Sequence, residues 1–245
     1  MQNSSHNKIL IIVPAFREEE NITGVIESLH SENPEWRILV VNDGSEDNTG
    51  KLAEATGKAD VINLPANLGI GGAVQTGFKF ASRNGFDIAV QFDGDGQHIA
   101  SELHKMLDAL NDGGNDVVIG SRFCGKNKGW KSTKMRRLAI LAFQWINSLL
   151  IRQKITDNTS GFRAYNSRAI EFLSENYPMD YPEPEAVILL GKSGFRIKEV
   201  PVQMQQREGG QTSIPGLKQY YYMAKVLLGI FITYIRRNRR QKGDA

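Results

Sequence analysis

Residues 91–98 read Gln91-Phe92-Asp93-Gly94-Asp95-Gly96-Gln97-His98 and follow directly on an apolar run. Two carboxylates one residue apart, at the mouth of a pocket, suit a shared divalent cation. Mg2+ or Mn2+ prefers such oxygen ligands and keeps positions open for phosphate oxygens. Asp93 and Asp95 are therefore the metal candidates, and the chemistry they imply is neutralisation of charge on a departing nucleotide diphosphate. Gly94 and Gly96 let the backbone approach a ligand closely. Taken alone, the tripeptide is equally a solvated Asp-Gly turn.

Three further segments carry polar side chains at comparable places. In Val13-Pro14-Ala15-Phe16-Arg17-Glu18-Glu19-Glu20-Asn21, the acids either serve a ligand or sit as favourable charges in a helix's first turn. In Val41-Asn42-Asp43-Gly44-Ser45, Asp43 is placed to accept hydrogen bonds from a base or ribose, or to form an Asx turn with a helix cap. Asn67-Leu68-Gly69-Ile70-Gly71-Gly72-Ala73 invites a dinucleotide-binding reading. That fingerprint belongs to the first strand–helix turn, however, and this run follows the third strand, so the dehydrogenase reading is weak.

The elements that must hold these residues alternate. Strands are expected at 9–13, 37–41, 61–64, 88–92 and 117–119, with helices at 18–30, 47–56, 72–83 and 101–111 between and after them. Such alternation implies an α/β domain with a mainly parallel sheet covered on both faces. Ligands bind beyond the carboxyl ends of the strands in such sheets. Pro14, Asp43, Asn67 and Asp93 all sit just after strands, which points to a nucleotide pocket. Beyond residue 124 the chain reads as a polar, basic loop (125–134), an apolar helix (135–151) and a polar turn. A helix at 167–175, an unusual Pro-rich segment (177–185), a strand at 197–202 and a loop around 205–216 follow. A final helix carries an apolar run and ends Arg236-Arg237-Asn238-Arg239-Arg240.

The bulk composition narrows the classes. The 245 residues are 40% hydrophobic, enough for a packed core. A net charge of +3 is too small to argue for nucleic acid as partner. The single cysteine, Cys124, excludes internal disulfides and cysteine-based zinc sites, which suits a reducing compartment. The polar N-terminus lacks a secretory pattern, so a cytoplasmic location is expected.

The ordered set VPAFREEENI, VVNDGSEDNT, NLGIGGAVQTG, QFDGDGQH and IGSRF resembles family 2 glycosyltransferases of the GT-A fold. The likeness is strongest to the dolichol-phosphate mannosyltransferase and polyprenyl-phosphate sugar synthase branch, and it runs over about residues 8–215. It implies a Rossmann-like GT-A domain over 1–215, with a nucleotide-sugar and metal half (1–124) and an acceptor half (125–215). By the same resemblance Pro14, Ala15, Phe16, Glu18, Asp43, Gly69, Asp93 and Gly94 hold the donor nucleotide. Asp93 and Asp95 are the D-x-D pair, Gln97 is a further metal ligand, and Arg122 meets phosphate. Asp157-Asn158-Thr159-Ser160-Gly161-Phe162-Arg163 resembles the segment lining the acceptor side. Arg207 heads a loop resembling one that closes on donor phosphates, with Thr212 and Ser213 in place of that loop's serine and lysine.

The expected activity is inverting transfer of a hexose from a nucleotide diphosphate sugar, with Mg2+ or Mn2+. Asp95, Arg122, Arg207 and Glu185 are the catalytic candidates. Polyprenyl phosphate is the favoured acceptor; it is already an anion and needs no base. A glycan hydroxyl would need one, from Glu183 or Glu185; with a lipid phosphate these glutamates would shape the acceptor pocket. The apolar run at 223–235 is short of the roughly 20 residues that span a bilayer. Residues 216–245 are therefore expected to form an interfacial or packed helix at the cytoplasmic membrane face, with room for a membrane-protein partner. From other classes, a sugar-1-phosphate nucleotidyltransferase would show a Gly-rich, Arg-containing loop after the first strand, and a non-catalytic nucleotide-binding subunit would bind without turnover.

Overall fold

The computed structural model describes residues 7–124, 151, 153 and 155–205. Seven strands form one sheet: β1 (Ile9–Ala15), β2 (Arg37–Asn42), β3 (Asp60–Asn63), β4 (Ile88–Gln91), β5 (Val117–Ser121), β6 (Arg163–Asn166) and β7 (Ile197–Pro201). Their order is β3-β2-β1-β4-β6-β5-β7. The helices are α1 (Ile22–Glu32), α2 (Thr49–Ala55), α3 (Gly69–Arg83), α4 (Glu102–Asn111), α5 (Ser167–Asn176) and α6 (Pro182–Lys192).

Strand periodicity divides the core in two. Leu10 and Ile12 of β1 face one side with Val74 and Phe78 of α3, Ile170 and Leu173 of α5, and Val187 of α6. Ile11 and Val13 face the other with Ile22, Val25, Ile26 and Leu29 of α1 and Leu103 and Met106 of α4. Both faces being covered, β1 reads as a continuous apolar run rather than an alternating one. Gly77 has no room for a β-carbon, which would overlap the Ile12 side chain, so α3 lies tight against β1.

The mainly parallel sheet is as expected, with shifted ends. Helix α1 begins at Ile22, not at 18; Glu18, Glu19 and Glu20 lie in the turn before it. Helix α3 begins at Gly69 rather than 72. Two elements depart from the sequence reading. Residues 163–166, passed over between the polar turn and the helix at 167, form β6, which runs antiparallel to both β4 and β5. The Pro-rich segment leads into a helix, α6, with Pro182 at its start, where a missing N–H is no loss. Seven of its eleven residues are buried, a run from Pro184 to Ile188 among them, so it shows no one-sided helical stripe.

The antiparallel insertion matters for the site. Because β6 runs opposite to β4, its first residue, Arg163, pairs with the last residue of β4, Gln91. The 157–162 segment therefore reaches the same sheet edge as the carboxyl ends of β1, β2, β4 and β5. The expected helices at 135–151 and 216–245, the basic loop at 125–134 and the loop bearing Arg207 lie outside the described residues, Ile151 apart. Among the described residues no helix is long and apolar enough to cross a membrane.

Candidate active site

A cavity of about 580 Å³ opens at the carboxyl ends of β1, β2 and β4. Pro14, Ala15, Phe16, Glu18, Asp43, Gly69, Asp93 and Gly94, the residues expected to hold the donor, all line it, and Asp95 lines it with them. Local hydrogen bonds fix these loops. The Asp43 N–H donates to the Ala15 carbonyl at 2.9 Å, and the Asp43 carboxylate accepts from the Leu68 N–H at 2.7 Å. Asp43 thus ties the turn after β2 to the turn that opens α3. Gly44, at φ +67°, is pressed so close that a β-carbon would sit 2.6 Å from the Ala66 carbonyl carbon. The Glu18 N–H donates to Thr49 Oγ1 at 2.9 Å. Arg17 holds φ +57°, the only positive φ of a non-glycine among the described residues.

The glycines of the 69–72 run do not form a phosphate cradle of the dinucleotide kind. A β-carbon on Gly71 would lie 2.6 Å from the Pro178 carbonyl oxygen, and one on Gly72 would meet Leu68. The smallness of Gly71 and Gly72 serves chain packing, whereas Gly69, at φ +80° with open space beside it, lines the cavity.

Asp93 is the most constrained acid of the site. His98 Nε2 lies 3.1 Å from Asp93 Oδ2, and Gln91 Nε2 donates to Oδ1 at 3.3 Å. Gln91 in turn accepts from the Tyr177 hydroxyl at 3.3 Å. The His98 ring is locked by stacking on Phe162, centroids 4.6 Å apart, and by edge contact with Phe92. Burial by itself opposes the Asp93 charge. His98, Gln91 and the Arg163 cation more than offset it and hold the carboxyl below its ordinary range. Gly161 completes the packing: a β-carbon there would stand 2.7 Å from Asp93 Oδ2 and 2.9 Å from Gln91 Nε2.

Asp95 accepts the Gln97 N–H at 3.1 Å. Gln97 itself stands outside the cavity lining, and its carbonyl accepts from the Gln205 N–H at 2.9 Å. Asp93 and Asp95 present hard oxygens to one cavity, a donor set that fits a divalent cation sharing its remaining positions with phosphate and water oxygens. Among the described residues no cluster of three or more His, Cys, Asp or Glu would hold a metal without such partners.

Arg122, at the end of β5, has its fork bound to Asp157: Nε to Oδ2 at 2.8 Å and Nη2 to Oδ1 at 2.7 Å, with Thr159 Oγ1 at 2.7 Å from Nη2. It does not line the cavity. Burial disfavours the Asp157 charge, but Arg122 prevails and its carboxyl lies below the ordinary range. Glu199 of β7 accepts both the Thr156 and Asp157 N–H groups, fixing the loop. Arg163 is fully buried; Nε donates to the Ser160 carbonyl at 2.7 Å and Nη2 to the Asn158 carbonyl at 2.9 Å. Its Nη1 and the Tyr165 hydroxyl find no partner among the described residues. Glu185 is buried in the first turn of α6. Glu183, one position from Pro182, is the glutamate whose charge couples to Arg163 and Asp93; burial raises its carboxyl above the ordinary range against the pull of Arg163.

Sequence residues 10–173 match the family model described as glycosyl transferase family 2. The chain belongs to that family. Among its relatives is the polyprenol monophosphomannose synthase of Mycolicibacterium smegmatis, 32% identical over 89% of this chain and 85% of that one. A second is the UDP-N-acetylglucosamine–dolichyl-phosphate N-acetylglucosaminyltransferase of Methanococcus voltae, 31% identical over 90% of this chain and 96% of that one. A solved structure of similar fold is glucosyl-3-phosphoglycerate synthase from Mycobacterium tuberculosis, in complex with Mn2+, UDP and phosphoglyceric acid. Its TM-score is 0.68 at 19% identity, covering 96% of this chain and 81% of that one. Membership of this glycosyltransferase family sets aside the dehydrogenase and nucleotidyltransferase readings. Legible from the sequence were the cavity wall and the two aspartates. The role of His98 was not, though it stood in the same motif. Gln91, Gly161 and Arg163 stood inside quoted motifs without a role of their own and Tyr177 stood in the Pro-rich segment, since their contacts with Asp93 and one another come from the pairing of β4 with β6 and the chain around it.

Proposed function

We propose that this family 2 glycosyltransferase moves a hexose from a nucleotide diphosphate sugar to a polyprenyl phosphate, with inversion at the anomeric carbon. The observation that carries the reading is the pair of near full-length relatives: their names differ in the sugar but share a polyprenyl- or dolichyl-type acceptor. In this reading the cavity wall from Pro14 to Glu18, with Asp43, holds the nucleoside, while Asp93 and Asp95 hold the divalent cation beside the diphosphate. When bound, that cation neutralises charge on the departing nucleotide diphosphate. Support for a metal comes from the Mn2+ and UDP of the solved structure of similar fold.

The protein's own residues do the positioning. His98 and Gln91 hold the Asp93 carboxylate in one orientation, so it is not reorganised when the donor arrives. Gly161 brings the acceptor-side segment against that carboxylate. A phosphate acceptor attacks as an anion, and no proton has to be removed from it. Glu183 and Glu185 then shape the acceptor side rather than act as bases. Lipid as acceptor also places the enzyme at a membrane surface, on the cytoplasmic face where nucleotide sugars are made.

The test is transfer from a panel of UDP-, GDP- and dTDP-sugars, with Mn2+ and with or without polyprenyl phosphate. Lipid-dependent release of one nucleotide is the expected result. Metal-dependent donor binding with no lipid product would move the acceptor to a glycan hydroxyl.

A further inference from the structure

We infer that Arg17 caps the nucleoside end of the bound donor, exchanging its partner Glu46 for the nucleotide; the inference rests on the proposed donor site. Four carboxylates line the cavity, from Glu18, Asp43, Asp93 and Asp95, and among the described residues Arg17 is the only cation lining it. Arg17 is thus the one side chain of the wall that can offer a guanidinium's five N–H donors to a ligand otherwise faced by acceptors.

The backbone at Arg17 is held for a purpose. Its φ of +57° is a region that a long side chain seldom adopts, yet the residue is not a glycine or asparagine. The conformation is pinned where its N–H donates to Ser45 Oγ at 3.0 Å. Strain of this kind clusters where a side chain must be aimed. The guanidinium is parked loosely: Nη2 meets Glu46 at 2.9 Å, with the two side chains 59% and 83% exposed. So exposed a pair holds weakly and is easily traded. The Phe16 ring lies beneath the guanidinium, 5.1 Å from its carbon, and Phe16 itself lines the cavity.

Position decides which part of the donor is met. Arg17 follows β1 and leans on Ser45 and Glu46, beyond the end of β2, whereas Asp93 and Asp95 follow β4 on the other side of β1. Its reach is therefore to the nucleoside beside Asp43 and not to the diphosphate. A planar guanidinium stacks on a base and donates to ring carbonyl oxygens, which uracil and guanine carry.

Arg17→Asn tests this, because asparagine tolerates the same positive φ and removes only the guanidinium. Dissociation constants would be measured with Mn2+ at low salt for UMP, UDP, GMP, GDP, dTMP and dTDP. For the base that the wild type binds, the variant should weaken the monophosphate and the diphosphate by the same factor, roughly 5- to 10-fold. Glu46→Gln should tighten both by about 2-fold by freeing Arg17. The thermal midpoint of Arg17→Asn should not fall below that of the wild type. Binding within 2-fold of wild type for Arg17→Asn would overturn the inference and leave the donor site standing. A loss confined to the diphosphates would also overturn it, by moving the contact to phosphate. A wild type that binds none of the six nucleotides would remove the proposed donor site and this inference together.

Discussion

Asp93 stands at the meeting point of three chain segments, and the space around its carboxylate is as decisive as its charge. A β-carbon on Gly161 would come within 2.7 Å of Oδ2 and 2.8 Å of Oδ1. Gly161→Ala should therefore displace the carboxylate by a few tenths of an ångström and lower the transfer rate on the order of 10²-fold. The fold should survive, since the clash is with a side chain. A steady-state rate beside a thermal melt checks both halves, and an alanine variant at wild-type rate would show that Asp93 needs no fixed position. Asp95→Ala should abolish Mn2+-dependent donor binding while leaving the circular dichroism spectrum unchanged. Retained activity with full metal dependence in that variant would refute the metal assignment. That Asp93 and Asp95 share one cavity was legible, because their position just after a strand puts both at its carboxyl end. Gly161 was not, because nothing in a lone glycine tells which carboxylate it lies against.

The elements explain why the second half of the site was harder to read. A four-residue strand that runs antiparallel inside a mainly parallel sheet has no helix of its own to announce it, and Arg163, a charged residue at its start, argues against burial on sequence grounds. The fold makes that burial workable by giving the guanidinium two loop carbonyls, and through them Arg163 shapes the segment carrying Asp157. Helix α6 was hidden for a different reason: with five consecutive residues buried from Pro184 to Ile188, its apolar residues lack the stripe that marked α1. The joint between α3 and the segment before α6 is also invisible in one dimension. Gly71 faces backbone atoms of Pro178 and Met179 that cannot rotate away. Gly71→Ala should cost about 1–3 kcal/mol of stability, read as a lower urea midpoint with an unchanged slope. A midpoint equal to wild type would mean that the 178–179 segment yields freely. The Arg122–Asp157 pair joins β5 to the same loop, with the Asp157 side chain fully buried. Asparagine keeps the size of the side chain but removes the charge facing the Arg122 guanidinium, so Asp157→Asn should lose about 3 kcal/mol at pH 7. Asp157 was visible in the sequence as part of a family segment, whereas its hold on Arg122 required the sheet order.

At the scale of the whole molecule, the perturbed acids and tyrosines predict how stability bends with pH. Asp93, Asp116 and Asp157 all have carboxyls below their ordinary range in the folded protein. Their contribution is present above the unfolded value, about 3.9, and is lost as pH falls through the folded values. The acid limb should therefore set in below about pH 4. The alkaline limb has a separate origin. Burial pushes the Tyr165 hydroxyl up to about 12, with Arg163 opposing. Between about pH 10, where an unfolded tyrosine ionises, and 12, the folded state binds more protons than the unfolded one, so stability must fall as pH rises. Across that whole interval the loss amounts to on the order of 2–3 kcal/mol for this one group. Tyr165→Phe removes the ionising hydroxyl, while Arg163, the cation that faces it, keeps its two loop carbonyls. Tyr177, whose hydroxyl is also pushed well up by burial, donates to Gln91 and stays in place, so the variant keeps part of the alkaline dependence. The readout is thus the difference between Tyr165→Phe and wild type in urea midpoint. That difference should be near zero at pH 7 and should grow in favour of Phe from pH 10 upward. Parallel loss in both proteins would mean that the Tyr165 hydroxyl reaches water in the folded state, and that the interior beneath Asp93 is wetter than its packing implies.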